Sequence, residues 1–229
     1  MVFPLALLSW LSPVFPTGGF AYSGGLETAI AEERIATLEA LIERTQHLVR
    51  EGTLWNDAVL IACAFRAYPD MTALGDLALH AAALAGSAER LAETLDQGRS
   101  FAKAVTPWVP ASEDEAHDMA GESALAQSRR DTPFPVHLGA AAAAHGVTAL
   151  DTITVFLHAA VSAQLQAAIR LSLIGQTGAA KAMAALEPAI LTTASRAADA
   201  DLGDLGSGCL AAEIDSLRHA VLDGRLFLS

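Results

Sequence analysis

The chain has 229 residues, with 14 Lys and Arg against 26 Asp and Glu, giving a formal charge of −12 at pH 7. Hydrophobic residues make up 52% and aromatics only 6%; alanine alone is about a fifth of the sequence. Such a charge repels a phosphate backbone or an anionic lipid surface, and no Lys/Arg stripe offsets it, so nucleic acid and membrane are excluded as expected partners.

Alanine and leucine with few aromatic or β-branched residues favour helices. Mean hydropathy is +0.37, which raises the question of a membrane span. The most apolar stretch, 152–169, carries His158, Ser162, Gln164 and Gln166 and is flanked by Asp151 and Arg170. It reads as a buried helix. Residues 1–11 lack a basic n-region and a cleavage-like site, so no export is expected. Cys63 and Cys209 are isolated, as in a reducing compartment, and the expected location is cytoplasmic.

Along the chain, a short apolar run, 4–11, ends in Ser12-Pro13-Val14-Phe15-Pro16-Thr17-Gly18-Gly19, where no helix can continue. A helix is expected from near Ser23 toward Arg34. Thr37 is the expected N-cap of the next, which Gly52 ends and Thr53 restarts up to Pro69. Asp70 and Ser87 cap two further helices. Ser112 with Glu115 fits a capping box ahead of the acidic run 113–118. After a polar linker, 129–135, a short alanine-rich helix follows and Gly146 stops it. The strongest helical signal is 150–174, with positions 153, 156, 157, 160, 161, 164, 168 and 171 on one face, all apolar but Gln164. Its length suits the central post of a bundle. A helical stretch interrupted at Pro188 comes next, and Ser207 opens a last helix through Leu222. The sequence thus predicts one all-α domain, a bundle of about ten helical segments.

No catalytic constellation is legible. Gly175-Gln176-Thr177-Gly178-Ala179-Ala180-Lys181 lacks the glycine–lysine–Ser/Thr ending of a phosphate loop and follows a helix. The seven histidines contain no i,i+3 or i,i+4 pair and no HExxH. Ser23 lies in Tyr22-Ser23-Gly24-Gly25, which is not a nucleophile elbow. The chain is expected to be no enzyme and to hold no resident cofactor or metal. Two segments remain that folding alone does not explain. One is the N-terminal segment 1–22, where Phe15, Phe20 and Tyr22 stand among glycines and prolines. The other is the tail, 223–229, which ends in apolar residues.

These segments carry a resemblance. Residues 11–27, from Leu11-Ser12-Pro13 through Pro16-Thr17-Gly18-Gly19-Phe20 to Ser23-Gly24-Gly25-Leu26-Glu27, resemble the signature of the UreF family of urease accessory proteins. Arg170-Leu171 followed by Gly175-Gln176 is similar to that family's long-helix ending. Phe134-Pro135-Val136 with Gly139 and Arg225-Leu226-Phe227-Leu228-Ser229 are similar to two more of its stretches. Ala21 stands where the family often has Ser or Thr, Leu228 where Arg is common, and Phe134 where His is frequent.

The resemblance implies an all-α, non-enzymatic maturation factor. It would form homodimers, bind UreD (also called UreH), and recruit the nickel-carrying GTPase UreG so that nickel enters apo-urease. It further implies partner contacts at Phe15, Phe20, Tyr22, Ser23, Glu27, Arg170, Gln176, Arg225, Leu226, Phe227 and Ser229, with the tail ordering on UreD and Phe227 as its anchor. The alternatives are a nucleotide-binding regulator using Arg170, Lys181 or Arg129-Arg130, and a direct nickel carrier using His137, His145 or the acidic run 113–118.

Overall fold

The structure, a computed structural model, describes residues 4–108 and 131–229. Among these residues are ten α-helices, two short 3-10 turns and no strand, as the all-α expectation requires. The helices are α1 (Leu5–Trp10), α2 (Leu26–Ala31), α3 (Leu38–Glu51), α4 (Thr53–Ala67), α5 (Met71–Ala83), α6 (Ala88–Ala104), α7 (Phe134–His145), α8 (Ala149–Arg170), α9 (Gln176–Asp199) and α10 (Leu210–His219). The capping box at Ser112, the acidic run 113–118 and Arg129-Arg130 lie outside the described residues.

Local chemistry sets most boundaries where the sequence puts them. The Thr37 hydroxyl accepts the Ala40 amide, the Asp70 carboxylate accepts those of Thr72 and Ala73, and the Ser87 hydroxyl accepts that of Arg90. Gly146 closes α7 in the left-handed region, at φ +77°.

Three expected helices need correction in their extent. First, α8 stops at Arg170 instead of 174, because Ser172 turns left-handed at φ +61° and the Leu173 amide reaches back to the Ala168 carbonyl at 3.0 Å. Second, α9 runs unbroken through Pro188. Buried Leu186, Ala189 and Ile190 fix it on both sides of the proline, and the Thr192 hydroxyl donates to the Pro188 carbonyl. Third, the last helix is confined to Leu210–His219.

The central post is α4, not 150–174. Its residues 55, 57–62 and 64 are buried almost all the way round, and it packs against α3, α5, α7, α8 and α9. The closest of these crossings, with α7, depends on Gly139: a Cβ there would press on the Ile61 carbonyl and lie 2.8 Å from the Ala64 Cβ. Small side chains let the two helices meet nearly backbone to backbone. An aromatic cluster seals one end, where Trp10 packs edge-on against Phe101, Trp108 and His145, and Phe134 bridges Phe101 to Phe156.

Candidate functional site

Two segments far apart in sequence meet beside α2. Gly24 and Gly25 both take positive φ, +59° and +78°, and start the helix. At Gly25 a Cβ would stand 2.6 Å from the Ser216 amide nitrogen, so α2 sits directly on the α10 backbone. This places Glu27, in the first turn of α2, under the tail. Its Oε1 accepts the Leu226 amide at 2.7 Å and its Oε2 accepts the Phe227 amide at 3.0 Å. The same Oε2 lies 3.0 Å from Nε2 of His219, whose Nδ1 lies 2.9 Å from Glu89.

Burial alone would raise the Glu27 carboxyl. His219 and the two amides outweigh it and hold the group below the ordinary carboxylate value of 4.5. Arg225 pairs with the other Glu89 oxygen at 2.8 Å. Farther along, Leu228 donates to the Ala21 carbonyl, while the Ser23 amide and hydroxyl both donate to the Ser229 carbonyl. Residues 225–229 are thus a strap bonded at every step to residues 21–27 and α6.

Helix α10 is amphipathic in the unusual sense. Its inward face carries Asp215 and His219, both nearly inaccessible. Asp215 receives Arg44 at 2.5 Å and also Arg34, with Arg44 itself buried. Burial pulls the Arg44 guanidinium down from its ordinary pKa, and Asp215 opposes that pull. The outward face carries Leu210, Ile214 and Leu217, exposed by 68, 38 and 55%, and Val221, 82% exposed, lies in the turn just past it. The spacing of four and three residues along the helix forms an apolar seam of the kind that accepts another helix.

The third component is the loop after α1. The Arg170 guanidinium donates to the Phe20 carbonyl at 2.5 Å and lies 4.2 Å from the centre of the Phe227 ring, a cation–π contact joining loop to strap. Gln164 donates to the Ser23 carbonyl. Phe20 itself is 72% exposed. The Tyr22 hydroxyl donates to Asp96, and burial together with the Asp96 charge pushes its pKa up to about 12. Phe15 turns inward instead, onto Phe101 and Trp108. Beneath the loop lies a cavity of about 650 Å³ between α6 and α8. On its wall Arg90 serves two carboxylates, Asp57 at 2.5 Å and Glu93 at 3.5 Å. Burial pushes both carboxyls up, and Arg90 offsets this in part.

Of the residues expected at a partner surface, the structure brings together Phe20, Tyr22, Ser23, Glu27, Arg170, Arg225, Leu226, Phe227 and Ser229. Phe15 belongs to the aromatic cluster below them. Gln176, the exposed first residue of α9, takes no part in these bonds. The expected ordering of the tail on a partner needs revision. Phe227 is 4% exposed and is anchored on its own chain, because Glu27 and Ser23 already satisfy the strap's backbone.

Sequence reasoning missed His219, Glu89, Asp215 and Arg44. Asp215 and His219 stand four apart on the helix, a signal that was available, but nothing in one sequence says that this polar face points inward. Among the described residues no three His, Cys, Asp or Glu side chains are grouped to hold a metal ion. His145, a candidate ligand, has its Nδ1 3.1 Å from the Trp108 carbonyl and its ring on Trp10. Arg170, a candidate phosphate contact, is committed to Phe20 and Phe227.

Together these features define an all-helical protein that folds its own tail into a surface and carries an outward apolar helix face next to it. Comparison with known proteins gives that class a family. The UreF family model matches residues 35–187. The urease accessory protein UreF of Agrobacterium fabrum is 43% identical over 225 residues, covering 98% of this chain and 96% of its own. Those of Allorhizobium ampelinum and Brucella ovis are each 41% identical, over 98% of this chain and 96% and 93% of theirs. The chain belongs to the UreF family of urease accessory proteins.

Proposed function

We propose that this chain is a urease maturation factor, a non-enzymatic cytoplasmic scaffold. With UreD (UreH) it recruits the GTPase UreG, so that nickel carried by UreG enters apo-urease. The observation that carries this reading is the convergence of Ser23, Glu27, Arg170, Arg225, Phe227 and Ser229 into one folded surface. These residues lie in stretches that resemble those of the family, and they hold an exposed apolar rim of Phe20, Leu226 and Leu228. Exposed apolar side chains held in fixed geometry are the usual anchors of a protein interface.

Helix α8 supports a homodimer. It is long and apolar enough to cross a membrane, yet only 44% of its apolar window is buried inside the protein. The half-buried residues Val155, Ala159, Ser162 and Ala163 recur at helical spacing and carry no charge. These residues line the cavity beneath the loop, and a second copy covering its mouth would close off that apolar helix face.

The deciding experiment co-expresses the tagged chain with UreD and UreG, with and without residues 224–229. The truncated chain should stay folded by circular dichroism and lose both partners. Unchanged capture of both would remove the strap from the interface. Nickel-loaded urease in cells lacking this gene would overturn the function itself.

A further inference from the structure

We infer that Glu27 is a positioning residue that locks the strap 225–229, helix α10 and the loop 20–23 into one cooperative unit, so that none of the three stays ordered without the others. The inference rests on the partner reading above for its use, though not for its geometry.

A carboxylate only accepts, and each of its oxygens has two lone pairs. Glu27 directs both oxygens at three donors from two segments: the Leu226 and Phe227 amides of the strap, and Nε2 of His219 on α10. Glu89 also reaches both segments, through His219 and the Arg225 side chain, but among the described residues only Glu27 takes strap backbone amides as well as His219. His219 is inaccessible to water, so its ring nitrogens depend on Glu27 and Glu89 for partners. Glu89 returns to the strap through Arg225. A closed ring therefore runs from Glu27 to His219, Glu89, Arg225 and the strap backbone, then back to Glu27.

The loop joins at the strap's far end. Ser23 gives its amide and hydroxyl to the Ser229 carbonyl, and the Ser23 hydroxyl also accepts the Glu27 amide at 3.3 Å. Leu228 donates to the Ala21 carbonyl, and Arg170 ties Phe20 to the Phe227 ring. Freeing the strap thus leaves the Ala21 carbonyl and the Ser23 amide without these partners. Because the loop also walls the cavity between α6 and α8, the exposed Phe20, the cavity mouth and the outward seam of α10 share one order–disorder equilibrium.

Glu27→Gln tests this directly. The amide keeps one acceptor but turns two N–H donors toward groups that are themselves donors. Hydrogen exchange followed by mass spectrometry on the full chain should speed up by about ten- to a hundredfold together in 225–229, in α10 and in 20–23. The α4 and α7 amides should keep their wild-type rates. Acceleration of the strap alone, or of none of the three, overturns the proposal. If the variant loosens α4 as well, Ser23→Ala decides the matter. It removes one of the two Ser23 bonds at the strap's far end without touching Glu27's carboxylate, and α10 must still respond with the strap; a response from the strap alone overturns the proposal. Capture of UreD and UreG by the same variants separates the two readings. Concerted loosening with undiminished capture would leave the coupling standing and remove this surface from partner binding. Lost capture without concerted loosening would do the reverse.

Discussion

The α4–α7 crossing and the α2–α10–strap assembly lie in one chain but use opposite physics. At the crossing, helices meet through glycine, alanine and buried aliphatic side chains, and water is simply squeezed out. In the strap assembly Glu27, Arg44, Asp215 and His219 are buried beside Leu26 and Phe227, while Leu210, Leu217, Leu226 and Leu228 face outward. Apolar packing tolerates imprecision and gives stability. A buried ionic network adds less net stability, because desolvation cancels much of the attraction, but it punishes any geometry other than the right one. The contrast suggests a core that holds the fold and a surface module that holds a shape.

Removing one member of the network should have the largest effect. Asp215→Ala leaves Arg44 buried without its counter-charge, at a cost of about 3–5 kcal/mol. If the two regions are distinct, that loss appears as an early denaturant transition of α10 and the strap, seen by hydrogen exchange, with the α4 region unfolding later. A single concerted transition would erase the distinction. Leu138→Ala attacks the other side. Leu138 is fully buried on α7, so the change should cost about 2–5 kcal/mol. It should shift the midpoint of the whole chain's unfolding while leaving the strap's amide bonds intact until then.

Acid should separate the regions by sign. Glu27 is held below its ordinary value, so its contribution is full above about pH 4.5 and is lost as pH falls through the depressed value. Asp57 and Glu93 are pushed up, so the folded form takes their protons first and their site gains stability on acidification. Amide resonances of Leu226 and Phe227 followed from about pH 7 to 3.5 should report release of the strap, while those flanking Asp57 stay folded. The smallest change in stability is expected for Leu217→Asp on the exposed seam of α10, within about 0.5 kcal/mol. Its effect should appear in capture of partners, which wild-type yield would contradict.

Much of this was readable from the residues, but unevenly. The caps at Thr37, Asp70 and Ser87 and the stop at Gly146 rest on local backbone chemistry, which a sequence states openly. The family signature pointed to Ser23, Glu27 and Phe227. It did not reveal that they bond to one another, since nothing in a linear string pairs residue 23 with residue 229. The central helix was misplaced because 150–174 advertises one clean apolar face, whereas α4 is apolar nearly all round and so shows weak periodicity. Pro188 misled because its helix-breaking tendency is local, while the packing that overrides it is not. The inverted polarity of α10 was illegible for the same reason: a helix with a polar stripe and an apolar stripe looks identical whichever way it faces.

The bond between Ser23 and Ser229 spans 206 positions, and that separation also has a meaning in time. During synthesis the loop that carries Phe20 emerges early and waits for nearly the whole chain before its partners Leu228 and Ser229 exist. Local helices such as α4 can form within microseconds once exposed, whereas this closure must await a distant segment. The surface made by residues 20–27 and 225–229 is therefore completed only long after its first half has been made. A chain halted short of the strap would have its core with that surface unfinished.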